Sequence, residues 1–317
     1  MDLRICTEPQ EGATYAQLLA VARAAREHGF GAFFRADHVL PMSGQPAPPG
    51  PVEAMVSLAA IAAQVPDIRL GTLLTSATFR HPGLLAIQAA NLDDISGGRL
   101  ELGLGAGWFE AEHRAYGLPF GASFGERFDR LTEQLEILTG LWATPAGGTF
   151  DHAGAYYQLA GAPGLPKPVQ RAADGTPKVP LVLGGHGPRR TPALAARFAD
   201  EFNVGFSGVA VTGAQIGRVR AACEAIGRDP ADLVYSAVQL VCLGAEPATL
   251  ARRLAATGRA PGEFDDGGLA GTPDQITAGL ARFAGAGVSR MYLQILDLSD
   301  LDHLAELGDL NRLAAAV

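Results

Sequence analysis

Cysteine is scarce in this sequence, and the few cysteines are widely separated. The 317 residues include 3 cysteines, at Cys6, Cys223 and Cys242, and none of them belongs to a CxxC pair. This spacing argues against a disulfide scaffold and against a zinc module. The segment Glu110, Glu112 and His113 could suggest a metal, but no HExxH motif and no second cluster accompany it, so we expect no metal site.

Basic clusters and long apolar runs are also missing. Charged residues make up 18% of the chain, and 25 Lys and Arg against 33 Asp and Glu give a net charge of −8. An acidic chain without a basic run argues against nucleic acid and anionic membranes as partners. No stretch approaches the ~18 uninterrupted apolar residues of a membrane span, and the N-terminus lacks the layout of a signal peptide. We therefore expect a cytoplasmic protein that acts on a small molecule.

Two common catalytic motifs are absent as well. The sequence contains neither a GxSxG nucleophile elbow nor a GxxxxGK[ST] phosphate-binding loop. These absences argue against serine hydrolases and P-loop NTPases.

What the sequence does contain is an alternation of short apolar runs with Ala- and Leu-rich stretches of helical period. Hydrophobic residues make up 48% of the chain, which is a globular composition, and its 40 glycines are scattered through separate loops. We predict strands at 3–7, 32–35, 68–76, 100–105, 180–184, 201–203, 235–242 and 290–295. We predict helices at 15–28, 52–64, 82–95, 124–142, 190–198, 215–226, 273–286 and 301–316.

This alternation predicts parallel strands covered by helices. Eight strand–helix units favour a single (β/α)8 TIM barrel over residues 1–317, with its active site at the C-terminal ends of the strands; an open doubly wound sheet is the alternative. The Gly- and Pro-rich stretch 143–178 is predicted to be an insertion over the barrel mouth, with a small hairpin at 149–159; it could also be a surface excursion. Residues 41–51 are a second candidate cover.

Candidate catalytic residues follow the first two predicted strands. His38 ends the segment Arg35-Ala36-Asp37-His38, and histidine suits proton transfer near neutral pH. Asp37 could orient His38 or meet a cofactor hydroxyl, and Glu8 lies just past the first strand as a possible proton partner. A helix cap with a surface histidine would give the same pattern.

Three further segments could bind a ligand. The glycines of 103–107 would let a ligand approach bare backbone N–H groups. The segment 184–190 combines glycines, His186 and two arginines before a helix, which suits a phosphate. The small and hydroxyl residues of 75–78 leave room for a flat ligand. Each segment is also compatible with an ordinary turn.

Together these segments resemble a known family. The ordered set is "FRADH", "LLTSATFRHP", "ISGGRLELGLGAGWFEAEHRAYGLPF", "ERFDRLTEQLEILTGLW", "KPVQ" and "LVLGGHGPRR". It is similar to the luciferase-like monooxygenase superfamily, and most of all to the branch that uses coenzyme F420, a 5-deazaflavin. The resemblance covers essentially the whole chain.

The resemblance implies a (β/α)8 barrel, a homodimer and a deazaflavin across the strand ends. It implies His38 as the catalytic residue, with Glu8 and Glu110 as second choices. Together with the segments described above, it leads us to assign to the cofactor Asp37, His38, Thr75, Ser76, Ala77, Gly105, Ala106, Gly107, Gly184, Gly185, His186, Gly187 and Arg189. In relatives, the segment matching Ser76 and Ala77 holds a non-prolyl cis peptide behind the ring.

Two departures from the family pattern stand out. His186 replaces the small residue expected between the glycines of the phosphate loop. The aromatic that some relatives place shortly after the Asp-His pair is absent, which argues against sugar-phosphate dehydrogenase activity.

Three functions are compatible with the sequence. The first is an F420-dependent oxidoreductase that transfers a hydride between F420 and a small molecule with an activated C=C, C=N or C=O bond. The second is an FMN-dependent monooxygenase on the same scaffold. The third is a non-catalytic protein that binds a flavin or deazaflavin. A cationic groove containing Arg189 and Arg190 would favour F420, which has a polyanionic tail.

Overall fold

The chain alternates strands and helices from its first residues to its last. The computed structural model describes residues 1–259, 264 and 267–315. The strands are β1 (Asp2–Thr7), β2 (Ala32–Arg35), β3 (Arg69–Thr72), β4 (Thr75–Ser76), β5 (Leu100–Gly105), β6 (Phe150–Ala153), β7 (Gln158–Ala162), β8 (Leu181–Gly184), β9 (Glu201–Gly205), β10 (Val234–Leu243), β11 (Leu269–Gly271) and β12 (Arg290–Ile295). The helices are α1 (Tyr15–Glu27), α2 (Ala54–Gln64), α3 (Pro82–Ser96), α4 (Glu110–Tyr116), α5 (Phe124–Ala143), α6 (Arg190–Phe198), α7 (Val209–Ala225), α8 (Pro247–Ala256), α9 (Pro273–Gly285) and α10 (Leu301–Ala315).

Eight parallel strands close into a barrel. Their order is β1-β2-β3-β5-β8-β9-β10-β12, and β12 pairs with β1 to complete the ring. The short strand β4 continues beyond β3 and pairs with β5, while β11 pairs with the end of β10. The predicted (β/α)8 barrel is therefore confirmed, and the C-terminal ends of all eight strands meet at one mouth.

Some predicted boundaries were wrong. The single strand expected at 68–76 is two strands, β3 and β4, separated by a cis peptide between Leu73 and Leu74. The cis bond therefore lies before the segment Ser76–Ala77 in which the resemblance placed it. Helix α7 begins at Val209 rather than at residue 215, and α4, α8 and β11 were not predicted. The last residue of the predicted helix 301–316 lies outside the described residues.

The insertion contains the expected hairpin but does not cover the mouth. Strands β6 and β7 pair antiparallel, and the backbone N–H groups of residues 155–157 donate to Glu133 of α5. Farther along, the N–H groups of Val169 and Gln170 donate to Asp93 of α3. The insertion thus packs on the outer side of the barrel along α3 and α5. The segment 41–51 does lie at the mouth, where Met42 donates to Glu11 just past β1.

The barrel has two layers of apolar packing and a charged base. Most buried apolar side chains fill the space between strands and helices, while a second cluster fills the lumen; it contains Cys6, Phe34, Val182, Val238 and Tyr292. Below that cluster, at the N-terminal ends of the strands, Arg4 pairs with Glu101 at 2.5 Å and Arg290 pairs with Glu201. Among the described residues, no helix combines the length and apolarity that crossing a bilayer requires.

His303 makes the stability of the barrel depend on pH. It is buried on α10, where its Nε2 accepts the N–H of Leu243 at 2.9 Å. Burial, followed by the charge of Arg253, lowers the pKa of His303 from 6.5 to about 4. The imidazole is therefore neutral in the folded protein, and unfolding lets it take up a proton below its unfolded pKa.

We predict that this histidine contributes stability above about pH 6.5 and that the contribution falls away as the pH drops toward 4. The shift corresponds to a loss of about 3 kcal/mol. Urea unfolding from pH 4.5 to 7 should show a shallower pH dependence for His303→Gln than for the wild type. His28→Gln, on α1's C-terminal cap, should match the wild type. Equal slopes for all three proteins would contradict the prediction.

Candidate active site

His38 lies at the mouth, three residues beyond the end of β2. Its Nδ1 is 3.0 and 3.1 Å from the two carboxylate oxygens of Glu112, which comes from α4. A carboxylate only accepts hydrogen bonds, so Nδ1 carries the hydrogen and Nε2 of the neutral ring holds a lone pair. The rings of Trp108 and Phe109 flank the imidazole at 5.6 and 6.0 Å. The structure therefore fixes the tautomer of His38 and leaves Nε2 able to exchange a proton.

The carboxylate partner of His38 was not identified from the sequence. Glu112 is 1% exposed and also accepts the N–H of Val39 at 3.1 Å, whereas Glu110, the predicted second choice, is exposed on the same helix. The two glutamates differ by two positions, which turns their side chains to different faces of α4. The sequence would have distinguished Glu112 from Glu110 only if the short helix at 110–116 had been predicted, and it was not.

Asp37 pairs with Arg80 rather than with His38. Its carboxylate is 2% exposed and receives both terminal nitrogens of Arg80, one of them at 3.2 Å from Oδ1. Arg80 also pairs with Glu53. Asp37 therefore braces the loop after β2 against the start of α3, and it does not orient His38.

Glu8 lies just past β1, near His38. Its Oε2 is buried and has no hydrogen-bond partner among the described residues. Burial raises the pKa of this carboxyl, while the neighbouring charge of His38 and a hydrogen bond from Gln294 oppose the rise. Gln294 belongs to β12 and pairs in register with Cys6 of β1. Glu8 thus lies close enough to His38 for the two groups to interact electrostatically.

Three neighbouring strands, β5, β8 and β9, end in glycine. We call these residues, Gly105, Gly184 and Gly205, the glycine shelf. They face the lumen: a Cβ built on Gly105 or Gly184 would meet Leu74, and one on Gly205 would meet Val238. These three adjacent strand ends project no side chain of their own into the lumen, and the Leu74 side chain lies against Gly105 and Gly184. Gly205 was not among the predicted cofactor residues.

The other predicted cofactor residues near the shelf divide into two groups. Thr75 donates to Thr72 at 3.0 Å and is fully buried, and Ala77 and Ala106 pack in the outer core. Ser76 pairs in register with Gly105, and Gly107 has a φ of +84° with its Cα against the Ser76 hydroxyl. Ser76 and Gly107 therefore lie at the mouth, whereas Thr75, Ala77 and Ala106 are buried in the surrounding structure.

The loop between β8 and α6 has the features of an anion site. Gly185 has a φ of +138°, and Thr191 in the first turn of α6 is 3% exposed with a hydroxyl that lacks a partner among the described residues. A Cβ on Gly187 would fall 2.9 Å from that hydroxyl. The loop is held from below by Gln215, which donates to the carbonyls of Gly185 and Gly187. Bare backbone, a helix N-terminus and a free hydroxyl together suit a phosphate.

The charged residues of this loop do not form the cationic groove of Arg189 and Arg190 that the sequence suggested. His186 is exposed, with its Nδ1 3.4 Å from the Ser207 hydroxyl, so it leans toward the end of β9. Arg189 is exposed at the N-terminal cap of α6. Arg190 pairs with Asp129 and donates to the carbonyl of Gly125 at 3.0 Å. Arg190 is therefore neutralised by α5 and does not join Arg189 in a cationic groove.

Comparison with known proteins identifies the family. The profile of the luciferase-like monooxygenase family matches residues 3–263. The chain belongs to this family. The resemblance seen in the sequence is thereby confirmed.

Several curated proteins are similar to this luciferase-like chain. A protein named F420-dependent glucose-6-phosphate dehydrogenase from Microbacterium testaceum (strain StLB037) is 35% identical over 190 residues, which cover 59% of this chain and 51% of that protein. Pyrimidine monooxygenase RutA from Methylobacterium radiotolerans is 39% identical over 119 residues, 37% of this chain and 30% of that protein. The chain thus spans about half the length, or less, of these curated relatives.

Solved structures share the fold of this luciferase-like chain. An F420-dependent secondary alcohol dehydrogenase, in complex with an F420-acetone adduct, superposes with a TM-score of 0.83 at 18% identity, covering 98% of this chain and 97% of the other. Monooxygenase RslO1 from Streptomyces bottropensis gives a TM-score of 0.83 at 23% identity and covers both chains completely. At these identities the likeness establishes the barrel fold.

We predict that Glu112 and Glu110 differ in their contribution to stability. Glu112→Ala leaves two donors, His38 Nδ1 and the N–H of Val39, without their acceptor, and should lower the free energy of unfolding by about 1–3 kcal/mol. Glu110→Ala removes an exposed carboxylate from the same first turn and should cost less than about 1 kcal/mol. Urea unfolding at neutral pH measures both; equal losses would contradict the geometry described for His38.

Proposed function

We propose that this protein is an F420-dependent oxidoreductase, which transfers a hydride between coenzyme F420 and a small organic substrate with an activated C=C, C=N or C=O bond. The observation that carries the proposal is the position of His38. Its tautomer is fixed by Glu112, and it stands at the mouth of a barrel whose neighbouring strand ends are bare glycine. Relatives named as F420-dependent enzymes support the choice of cofactor.

The residues at the mouth fit a phosphorylated flavin-like molecule. The glycine shelf, with the Leu74 side chain that lies against Gly105 and Gly184, would receive the flat ring, because the ends of β5, β8 and β9 project no side chain of their own. The Thr191 hydroxyl and the N–H groups of residues 185–187 and of the start of α6 would hold a phosphate. When bound, F420 would supply or accept the hydride at its ring.

The proton that accompanies hydride transfer is assigned to His38. Because Glu112 holds the hydrogen on Nδ1, the lone pair of Nε2 can accept a proton from a hydroxyl, and the protonated ring can return one to an oxygen or nitrogen. Glu112 stabilises the imidazolium that forms in between. Glu8, whose pKa is raised by burial, can hold a proton beside His38 and so serve as its partner.

An FMN-dependent monooxygenase is the second candidate. Monooxygenases among the relatives and the solved structures support it, since the same barrel serves both chemistries. The neutralisation of Arg190 by Asp129 removes one of the two cations that favoured the polyanionic tail of F420. Arg189 remains exposed at the cap of α6. The choice between the two cofactors is therefore the first point to test.

We predict that the purified protein binds oxidised F420 at least ~10-fold more tightly than FMN. Titration with fluorescence detection at two salt concentrations measures both dissociation constants. F420 affinity should fall with added salt, because Arg189 would contact the anionic tail and salt screens that attraction. The reverse order of affinities would favour the monooxygenase. If the protein bound neither F420 nor FMN, both proposals would be contradicted.

His38→Ala tests the catalytic assignment against the non-catalytic alternative. With a substrate found by screening carbonyl and alcohol compounds against F420, turnover at saturating cofactor should fall at least ~10²-fold, while the dissociation constant of F420 changes little. His28→Ala, at the opposite end of the barrel, should retain wild-type turnover. Unchanged turnover in His38→Ala would remove His38 from the chemistry.

We further propose that the protein forms a homodimer through α2 and α3. Large apolar side chains are exposed on these adjacent helices: Val56 is 71% exposed, Leu84 62%, Ile95 49% and Ile87 39%. Leu84, Ile87 and Ile95 share one face of α3, since Ile87 lies three residues and Ile95 eleven residues after Leu84. Exposed apolar patches of this kind mark protein interfaces.

The dimer is expected to run at twice the mass of the 32.9 kDa chain in light scattering coupled to size-exclusion chromatography. Leu84→Glu should shift it to the monomer mass, because a charge would be buried at the interface. Val211→Glu, at an exposed apolar position on α7, should remain dimeric. A wild-type protein of monomer mass at micromolar concentration would refute the proposal.

A further inference from the structure

A chain of three polar side chains runs from α4 to the mouth and is not used by the mechanism above. His113 is 1% exposed; its Nδ1 is 2.8 Å from the carbonyl oxygen of Phe109, and its Nε2 is 2.5 Å from the hydroxyl of Thr78. The Thr78 hydroxyl is in turn 2.5 Å from the hydroxyl of Ser76. We call His113, Thr78 and Ser76 the relay. The rings of Phe79 and Phe120 pack against His113 at 5.0 and 4.6 Å.

The direction of every hydrogen bond in the relay follows from its buried end. A backbone carbonyl only accepts, so His113 Nδ1 donates to Phe109, and Nε2 of the neutral ring can only accept. The Thr78 hydroxyl must therefore give its one hydrogen to Nε2. Its oxygen then accepts the hydrogen of Ser76. As a result, the Ser76 oxygen retains only lone pairs, and it can receive a hydrogen bond from a ligand but cannot donate one.

The strand register turns Ser76 toward the mouth. Ser76 pairs with Gly105, a member of the glycine shelf, and Thr75 pairs with Leu104, which packs in the outer core. Paired residues of adjacent strands point to the same side of a sheet, so Ser76 faces the lumen. Its hydroxyl therefore lies at the edge of the shelf on which the proposed ring would rest. The Thr78 N–H approaches the same oxygen at 3.4 Å and leaves room for a further donor.

We propose that His113 and Thr78 are positioning residues that hold the Ser76 hydroxyl as an acceptor for the N3–H of the bound deazaflavin ring. This inference rests on the proposed cofactor site. In the oxidised ring N3 is the nitrogen that carries a hydrogen, and it lies between two carbonyl groups that can only accept. A serine locked as an acceptor therefore selects one orientation of the ring over the orientation that presents a carbonyl.

The test compares two probes, the 5′-phosphates of 5-deazariboflavin and of 3-methyl-5-deazariboflavin. The methyl group removes the N3–H, so wild-type protein should bind the methylated probe at least ~10-fold more weakly. In Ser76→Ala the two dissociation constants should agree within ~3-fold. Thr78→Val and His113→Leu free the Ser76 hydroxyl to rotate. In both variants, the ratio of the dissociation constant of the methylated probe to that of the unmethylated probe should be at least ~3-fold smaller than in the wild type.

Two further variants separate positioning from structural damage. Thr78→Ser restores the relay hydroxyl and should retain the wild-type ratio, as should Thr277→Val, which removes a threonine hydroxyl on α9. General structural damage to the protein would weaken the binding of both probes equally and leave the ratio of their dissociation constants unchanged. A ratio that stays at the wild-type value in Ser76→Ala and Thr78→Val overturns the inference while leaving the cofactor proposal intact. Failure of the wild type to bind either the unmethylated probe or F420 would overturn both.

Discussion

Closure of the eight-stranded ring is the constraint on which the rest of this structure depends. Once β12 pairs with β1 and β9 pairs with β10, every second residue of each strand must point into a narrow lumen. The lumen cannot hold large side chains at every level. Glycines at the ends of β5, β8 and β9 therefore leave space at the mouth, and the Leu74 side chain fills part of it against Gly105 and Gly184.

The opposite end of the lumen is closed by charge. Glu101 receives Arg4 and Arg69, and Glu201 receives Arg290, all within the first three residues of their strands. Removing one partner of a buried pair leaves an uncompensated charge, which costs far more than an exposed pair contributes. This network fixes the strands at the end of the barrel opposite the mouth. The mouth also holds polar atoms of Glu8 and Thr191 without partners among the described residues, and Oε1 of Glu201 is a further such atom at the base.

The sequence predicted the eight barrel strands and the mouth because both depend on local pattern. Apolar runs and helical periods mark β2, β5, α6 and β12 at their observed residues. Three features were not predicted, because they do not depend on local pattern. The break between β3 and β4, the side of the barrel on which the insertion packs, and the pairing of Asp37 with Arg80 depend on contacts between distant segments. Glu112 was passed over in favour of Glu110 because α4 is only seven residues long and has no clear period.

That short helix links the two halves of the proposed site. Glu112 and His113 are consecutive and both buried, so they leave α4 in different directions. Glu112 fixes the hydrogen on Nδ1 of His38, and His113 fixes the hydrogens of Thr78 and Ser76 beside the glycine shelf. One turn of helix thus sets the proton-bearing face of the proposed catalytic histidine and the accepting face of the proposed ring-binding wall. In the proposed site, a shift of α4 would disturb both together and would couple placement of the cofactor to proton transfer through two adjacent residues.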